Sequence, residues 1–230
     1  MSIPSAPPVQ NYPLHTGIIS TTFWIGEVFN PSVPDGTQVF STYDSLWESH
    51  YGGCDGVTGS GTCATEARTA TNGYFPTAMT PQENPFYLDL PYDDIHDPSA
   101  FANRDNDVPW ANNAPYSAHH GDPHFSYMKN RWVRVTGPAG QVCFGQNEDA
   151  GPSHNTFYHD AAYVFGNNDV RPFQHYFNNA GMDVSPALNG CLRFSQLNGQ
   201  SDHVTWQFVE TASVPSGPWS ILVTTSGVTP

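Results

Sequence analysis

Positive charge is almost absent from this sequence. Its 230 residues include only 7 Lys and Arg against 21 Asp and Glu, so the formal net charge at neutral pH is -14. Lys129 is the single lysine. Such a surface repels the phosphate backbone of nucleic acids and the anionic face of membranes. We therefore expect neither nucleic acid nor a membrane as a partner.

Long apolar runs are missing as well. No stretch approaches the ~18 apolar residues of a membrane-spanning helix. The first residues, "MSIPSAPPVQNYPLHTG", also lack the basic and then apolar pattern of a secretory signal. Two interpretations remain open: a cytosolic chain, or a secreted chain whose signal has been removed and replaced by Met1.

The four cysteines favour secretion. No CxxC spacing suggests zinc. Cys54 and Cys63 flank a Gly-, Ser- and Thr-rich loop that a covalent link would hold in place, whereas Cys143 lies in a strand-like run and Cys191 follows "GMDVSPALNG". Four cysteines allow three pairings, and free thiols in a reducing cell are the alternative. We predict the pairs Cys54–Cys63 and Cys143–Cys191, and with them a secreted or periplasmic protein.

Short apolar bursts separated by turn residues dominate the rest of the chain. With 20 Gly, 21 Pro and 13% aromatic residues, the composition is typical of a loop-rich globular protein rather than a disordered one. The alternation predicts an all-β barrel or sandwich, with a tight hairpin at "VTGPAGQV" turned by Pro138 and Gly140. The six predicted strands are residues 17–29, 84–92, 130–137, 140–149, 202–210 and 217–225.

Two segments carry helical signals. Residues 41–53 end at Gly52, and in "DVSPALNGCL" either Asp183 or Ser185 is placed to cap a helix whose first turn suits Pro186. Such a cap and an active-site acid are competing explanations for Asp183, and we predict that it serves as both.

The domain organisation follows from the spacing of these elements. Residues 1–15 are a Pro-rich tail, and residues 16–230 are expected to form a single domain. The segments 30–80 and 93–129 are too long for plain turns, so we interpret them as insertions that wall a binding site.

Three short motifs resemble those of a known superfamily. They are "EDAGP" at 148–152, "MDVSP" at 182–186 and "TTFWI" at 21–25. Their order is similar to that in the double-psi β-barrel shared by family 45 glycoside hydrolases, expansins and rare lipoprotein A. The resemblance covers residues 17–28 and 84–225. It implies a six-stranded double-psi β-barrel with long loop and helix insertions.

The resemblance also implies catalytic roles. Asp183 corresponds to the proton donor and Asp149 to an auxiliary acid, but Ile25 stands where the hydrolases carry the aspartate that acts as base. The candidates for the base are Glu27, Asp149, or no dedicated residue. The sequence favours Asp149, since two acids on neighbouring barrel elements would raise one pKa by mutual repulsion, as glycosidic cleavage requires. Glu27 is otherwise a solvated charge at the end of a strand.

Aromatic and polar side chains in the loops indicate a sugar ligand, because pyranose C–H faces stack on rings and hydroxyls bind carboxylates and amides. Each of these rings is otherwise a core residue, and Asp93 and Asp94 favour an Asx turn over a binding role. His159 is a further candidate, with backbone hydrogen bonding as the alternative. The predicted substrate-binding residues are Trp24, Tyr92, Asp93, Asp94, Trp110, His159, Tyr163 and, in addition, Phe165.

Histidines are frequent, and "SAHHGDPHFSY" places His119, His120 and His124 beside Asp122. Zinc or copper binding there is the less favoured interpretation, because three histidines in a Gly- and Pro-containing loop fit many conformations. We expect polar packing in this loop, no metal site and no cofactor.

The function predicted from the sequence is endo-acting hydrolysis of a β-linked polysaccharide of the glucan, mannan or xylan class by a monomer. Asp183 would be the general acid, with Asp149 or Glu27 as the second carboxylate. A non-enzymatic alternative stays open, because Ile25 also fits an expansin-like protein that binds the polysaccharide without hydrolysing it. A lytic transglycosylase acting on peptidoglycan is the further alternative.

Overall fold

The computed structural model describes residues 11–33, 36–153, 157–167, 170–173 and 175–230. Most of the predicted tail lies outside these residues. Within them the strands are β1 (His15–Thr22), β2 (Val57–Gly59), β3 (Thr62–Ala64), β4 (Tyr87–Asp89), β5 (Trp132–Thr136), β6 (Val142–Asp149), β7 (Met182–Val184) and β8 (Asp202–Val209).

Six of these strands close into a mixed barrel in the spatial order β1, β7, β4, β6, β5 and β8. β1 pairs with β7, and β4 with β6, in parallel. The other neighbouring strands are antiparallel. β2 and β3 form a separate hairpin. The prediction of an all-β, six-stranded barrel is therefore confirmed.

Hydrophobic alternation accounts for the longer strands. In β8, Val204, Trp206 and Phe208 are buried, and the residues between them are more exposed. A period of two directs one side of a strand into the barrel, and each buried side chain of this kind stabilises the fold by about 1.5–3 kcal/mol. The hairpin between β5 and β6 is also confirmed. Gly140 there has a φ of 85°, a left-handed conformation that glycine adopts without steric cost.

The last predicted strand is wrong. Within residues 217–225, Pro218–Ser220 is a 3-10 helix and no strand follows. Proline lacks the amide hydrogen that a strand ladder needs. Ile221 and Val223 are 71% and 39% exposed although Trp219 packs against the core, so alternate residues of this run do not share one buried face. The sixth barrel strand is instead β7, which the sequence analysis assigned to the start of a helix.

The four α-helices in the described residues are α1 (Trp47–Tyr51), α2 (Pro98–Asp107), α3 (Ala161–Val164) and α4 (Pro186–Leu192). α4 begins with proline, as predicted, but its cap is Ser185, whose hydroxyl accepts the N–H of Leu188 at 3.3 Å. Asp183 lies two residues earlier, within β7. A capping side chain must reach the second or third amide of its helix, so the prediction that Asp183 caps α4 is wrong.

Both predicted disulfides are present, Cys54–Cys63 and Cys143–Cys191. The second joins β6 to α4 and so fixes the helix that follows β7 against the barrel. Two disulfides are compatible with an extracellular or periplasmic protein. Among the described residues, no helix combines the length and apolar character needed to cross a membrane.

A candidate active-site groove

A groove of about 870 Å³ lies beside the barrel. Its lining includes Thr21 and Thr22 at the end of β1, and parts of 37–45 and 149–153. The segment 37–45 belongs to the first predicted insertion, which therefore contributes one wall. The volume is at the upper end of the ~300–1,000 Å³ typical of ligand sites.

Three aspartates lie side by side on the groove lining. Asp89 in β4 is the register partner of Asp183 in β7 on one side and of Asp149 in β6 on the other. The carboxylate oxygen Oδ1 of Asp89 accepts the backbone N–H of Asp183 at 3.0 Å. Strand pairing therefore brings together three acids that are far apart in the sequence.

Asp183 has a strongly raised pKa. Its side chain is half-buried, and its Oδ1 is buried without a hydrogen-bond partner among the described residues. Burial, followed by the charges of Glu27 and Asp149, raises the pKa of Asp183 to about 8. Asp183 is therefore largely protonated at neutral pH, the state required of a general acid.

Asp149 has a lower pKa than Asp183. Its Oδ1 accepts the N–H of Thr42 at 2.7 Å and the N–H of Ala150 at 2.8 Å, and its Oδ2 accepts Nε2 of Gln38 at 2.9 Å. Burial raises the pKa of Asp149 to about 6, and the hydrogen bonds oppose that rise. Asp149 is therefore mostly ionised at neutral pH and is fixed to the wall at 37–45.

Glu27 lies on the same groove, just beyond β1. Backbone hydrogen bonds join Gly26 and Glu27 to Gln38, which anchors this part of the wall. Burial raises the pKa of Glu27 to about 7, and a hydrogen bond from the Trp24 backbone partly opposes the rise. Glu27 is half-ionised near neutral pH.

Asp89 is not among the site residues predicted from the sequence. Its pKa is raised well above the ordinary value by burial and then by the charges of Asp183 and Asp149. A Cβ added at Gly151 would come within 2.6 Å of Asp89 Oδ2, so glycine in the "EDAGP" motif permits the close approach of this turn. The available signal was a lone acid inside the apolar burst "NPFYLDLPY".

Asp93 and Asp94 have different surroundings. Asp93 lines the groove, and its Oδ1 also accepts the N–H groups of Ile95 and His96, as in an Asx turn. Asp94 is fully buried and does not line the groove. Its carboxylate accepts the Ser126 hydroxyl at 2.6 Å, so it holds the second insertion in place rather than facing a ligand.

Four of the five aromatic rings predicted to stack on sugar lie in the interior instead. Trp24 packs on the Cys54–Cys63 disulfide and donates to the Cys63 carbonyl at 2.9 Å. Tyr92, Trp110 and Tyr163 belong to the main core and are at most 1% exposed. Burial of this extent removes these rings from contact with a ligand, which corrects the expectation for them. Sequence cannot distinguish the two outcomes, because core and binding rings are the same residue types.

Two further candidates also lie off the groove lining. His159 interacts through Nδ1 with Oδ2 of Asp97 at 2.7 Å, while its neighbour Tyr158 does line the groove. Phe165 is partly buried and packs against the core cluster. His159 therefore serves to attach its loop to the start of α2, whose cap is Asp97.

The histidine-rich loop is packed by its own contacts. His119 stacks on Phe125 with ring centroids 3.8 Å apart, and its Nδ1 lies 3.0 Å from Asp122 Oδ2. His120 Nε2 lies 3.1 Å from the Ala111 carbonyl. Among the described residues, no group of three or more His, Cys, Asp or Glu is placed to hold a metal ion.

Four of the seven cationic side chains, Arg68, Arg104, Lys129 and Arg131, are buried in the fold. Arg68 pairs with Asp55 at 2.8 Å, Lys129 with Glu148 at 2.8 Å, and Arg104 lies 3.6 Å from Asp94. No Lys or Arg is among the described residues that line the groove. The groove therefore disfavours anionic ligands and suits a neutral or basic one.

The clustered acids of the groove make the stability of the protein depend on pH. Asp183, Asp149 and Glu27 keep their protons in the folded state to about 8, 6 and 7, whereas unfolded Asp and Glu titrate near about 4. Folding therefore binds protons between about pH 4 and pH 8, and the free energy of unfolding falls as pH rises through this window. We expect Tm to fall by several degrees between about pH 5 and pH 9, and Asp183→Asn to reduce that fall. Scanning calorimetry measures it, and a Tm that does not change over this range would show that these carboxyls ionise in the folded protein as they do in the unfolded chain.

Comparison with known proteins adds no family to this picture. No protein-family model matches the sequence, and no curated protein matches it. The groove is therefore the basis for assigning a function. It holds Asp183 with its raised pKa, further carboxyls beside it, and no Lys or Arg among its described lining residues.

Proposed function

We propose that this protein is an endo-acting glycoside hydrolase of a neutral β-linked polysaccharide, with Asp183 as the proton donor. The observation that carries the proposal is the buried, unpartnered Oδ1 of Asp183 beside two further acids on the groove lining. Cleavage of a glycosidic bond requires one carboxyl that is protonated near neutral pH and a second that is ionised. The glucan, mannan and xylan classes all fit a groove without Lys or Arg among its described lining residues.

Glu27 is the preferred second carboxylate in this proposal. A general base must accept a proton from water, so it needs a free lone pair in the groove. Asp149 already accepts three hydrogen bonds from the wall and its own turn, whereas Glu27 accepts one from the Trp24 backbone and lies on the groove with a pKa near 7. Glu27 also follows burial as the next cause of the raised pKa of Asp183, ahead of Asp149. The sequence favoured Asp149, and the hydrogen bonds favour Glu27 instead.

The proposed step is direct displacement by water. Asp183 donates its proton to the glycosidic oxygen as the bond from that oxygen to the anomeric carbon breaks. Glu27 takes a proton from the water whose oxygen forms the new bond to the same carbon. Ile25 cannot take part, since its side chain is fully buried and carries no titratable group.

The double-psi assignment belongs to the same proposal. Three features support it: the mixed pairing of the six barrel strands, the "EDAGP" turn that follows β6, and "MDVSP", which leads from β7 into the short helix α4. Under this assignment Glu27 replaces a base that the superfamily's hydrolases carry at the position of Ile25.

A bell-shaped pH profile is the expected result of a reducing-sugar assay on soluble β-glucan, mannan and xylan. Activity should rise as Glu27 ionises near pH 7 and fall as Asp183 loses its proton near pH 8. An enzyme whose activity does not fall above pH 8 contradicts the assignment of Asp183 as acid. New reducing ends released throughout long chains, rather than single sugars, identify endo action.

An expansin-like protein is the second candidate, because Ile25 leaves the usual base position without a carboxylate. Such a protein binds the polysaccharide without releasing reducing ends. Binding with no cleavage across the whole panel favours this candidate. Cleavage of peptidoglycan with formation of an anhydro sugar, detected by mass spectrometry, identifies a lytic transglycosylase instead.

A further inference from the structure

Three phenylalanine rings line the groove in exposed positions. Phe29 and Phe177 are each 59% exposed and Phe40 is 44% exposed. Exposed apolar rings contribute little to folding, since burial is the source of hydrophobic stabilisation. Their grouping on the groove that holds the acids is therefore better explained by contact with a ligand than by the fold.

Phe40 is tied directly to the acids. Nε2 of Gln38 donates to the Phe40 carbonyl and to Oδ2 of Asp149, both at 2.9 Å. One amide therefore sets the position of the ring's backbone relative to the carboxylate. A ligand in contact with Phe40 is held at a defined place relative to Asp149.

Phe177 is presented by a strained turn. Phe177, Asn178 and Asn179 have φ values of 50°, 59° and 62°, three successive left-handed residues without a glycine. This conformation costs about 1–2 kcal/mol for each L-residue other than glycine, somewhat less for Asn. The Asn178 side chain donates to the carbonyl of Gln200, another groove residue, at 2.8 Å. Strain that leaves a large apolar ring in solvent at a groove points to binding.

The same turn leads into the catalytic strand. Ala180 donates its N–H to the Phe177 carbonyl at 3.1 Å, and Gly181 donates to the Ile19 carbonyl of β1 at 2.9 Å. β7 with Asp183 follows immediately. Phe29 belongs to a distant part of the sequence, two residues after Glu27. Its N–H donates to the Gly36 carbonyl at 3.0 Å.

We propose that Phe29, Phe40 and Phe177 form an aromatic rim that binds the polysaccharide by stacking on the C–H faces of its sugar units. The identity of the ligand rests on the proposed function, whereas the rim follows from the exposed rings and their anchoring. Pyranose rings suit this surface because they offer apolar faces to aromatic rings and hydroxyls to neighbouring polar groups. Gln38 and Gln200, both on the groove, are the amides placed to receive those hydroxyls.

The rim is expected to contribute binding along a long chain rather than chemistry. The groove volume of about 870 Å³ exceeds what one small sugar needs, and the rim residues come from three separate positions of the chain. Interactions with sugar units away from the reacting bond lower KM more than they raise kcat when they are equally strong before and during the reaction. For short oligosaccharides that do not reach the rim, substitutions in the rim should change neither KM nor kcat.

Binding is measured without turnover in an Asp183→Asn background, by affinity electrophoresis in gels containing β-glucan, mannan or xylan. Phe40→Ala and Phe177→Ala are each expected to weaken binding at least tenfold. Phe173→Ala is the matched control, since Phe173 is 61% exposed, stacks on Phe157 and does not line the groove. The control should bind within twofold of its parent. Phe40→Trp and Phe177→Trp should retain binding, because they keep a stacking surface.

The outcomes separate the rim from the proposed reaction. If Phe40→Ala and Phe177→Ala bind as tightly as Phe173→Ala, the rim is overturned, even where the wild type cleaves glycan. If the wild type cleaves nothing but binds polysaccharide through these rings, the hydrolase proposal fails and the rim stands. If the parent binds none of the three polysaccharides, the rim is overturned. In an active enzyme, the alanine variants should raise KM for the polymer and leave kcat nearly unchanged.

Discussion

Asp183→Asn should lower glycan cleavage by at least ~100-fold, the loss expected when a general acid is removed. Asn has nearly the same shape as Asp but carries no titratable proton. The residue lies in β7, and its backbone N–H to Asp89 remains available in the variant. We therefore expect a folded protein that binds polysaccharide and does not cleave it.

The control for this variant is Asp202→Asn. Asp202 begins β8, accepts hydrogen bonds from Ser195 and does not line the groove. Its substitution should leave cleavage within about twofold of the wild type, since surface changes away from a site have small effects. If Asp183→Asn retains near-full cleavage on every substrate that the wild type attacks, Asp183 is not the proton donor. Circular dichroism and Tm establish that both variants are folded.

Glu27→Gln should cause the second large loss, again at least ~100-fold, because general bases contribute about 10²–10⁴ to the rate. The rising limb of the pH profile near 7 should disappear with it, since Glu27 is the group whose ionisation produces that limb. The hydrogen bonds that join Gly26 and Glu27 to Gln38 are made by the backbone, so they are expected to remain in the variant.

Asp149→Asn is the comparison that assigns the base. An Asn oxygen can still accept the N–H groups of Thr42 and Ala150, but its amide would face the donating Nε2 of Gln38. We expect a tenfold or smaller loss of activity, with the cost of one charge-assisted hydrogen bond, about 1.5–3 kcal/mol, in stability. If Asp149→Asn instead loses more activity than Glu27→Gln and removes the limb at low pH, Asp149 is the base. Steady-state kinetics over the full pH range measures both variants.

Asp89 lies between Asp183 and Asp149, the residues changed in two of these variants. It pairs in register with both Asp183 and Asp149, and its oxygen fixes the Asp183 backbone. Burial, followed by the charges of Asp183 and Asp149, raises the pKa of Asp89 well above its ordinary value. Asp183 in β7 and Asp149 in β6 therefore lie on either side of β4, with the Asp89 carboxyl between them.

Local patterns were sufficient for much of the fold. Alternation over eight residues identified β8, and the Pro138 and Gly140 turn identified the hairpin between β5 and β6. Cysteine placement predicted both disulfides, because one pair closes a short loop and the other two cysteines were the remaining partners. Each of these features depends on residues that are near one another in the chain or on a very short list of alternatives.

Predictions that required non-local information were less successful. β7 has only three residues, too few for any period to be visible, and it is a strand because β1 and β4 pair with it from both sides. Residues 217–225 contain an apolar burst and contact β6 through the Gln146 and Phe144 side chains, but they pair with no barrel strand and form none themselves. A strand needs both an apolar run and a neighbouring strand to pair with. Only the run can be recognised in the local sequence.

The composition and short motifs alone determined that this is an acidic, disulfide-linked, all-β protein with acids at Glu27, Asp149 and Asp183 as the candidates for chemistry. Only the tertiary structure decided that these acids share one groove with Asp89, and that the exposed rings there are Phe29, Phe40 and Phe177 rather than the predicted tryptophans and tyrosines. The physical reason is that a side chain's pKa and exposure depend on which distant segments surround it. Those segments are set by strand pairing across the closed barrel, and sequence spacing carries no record of that pairing.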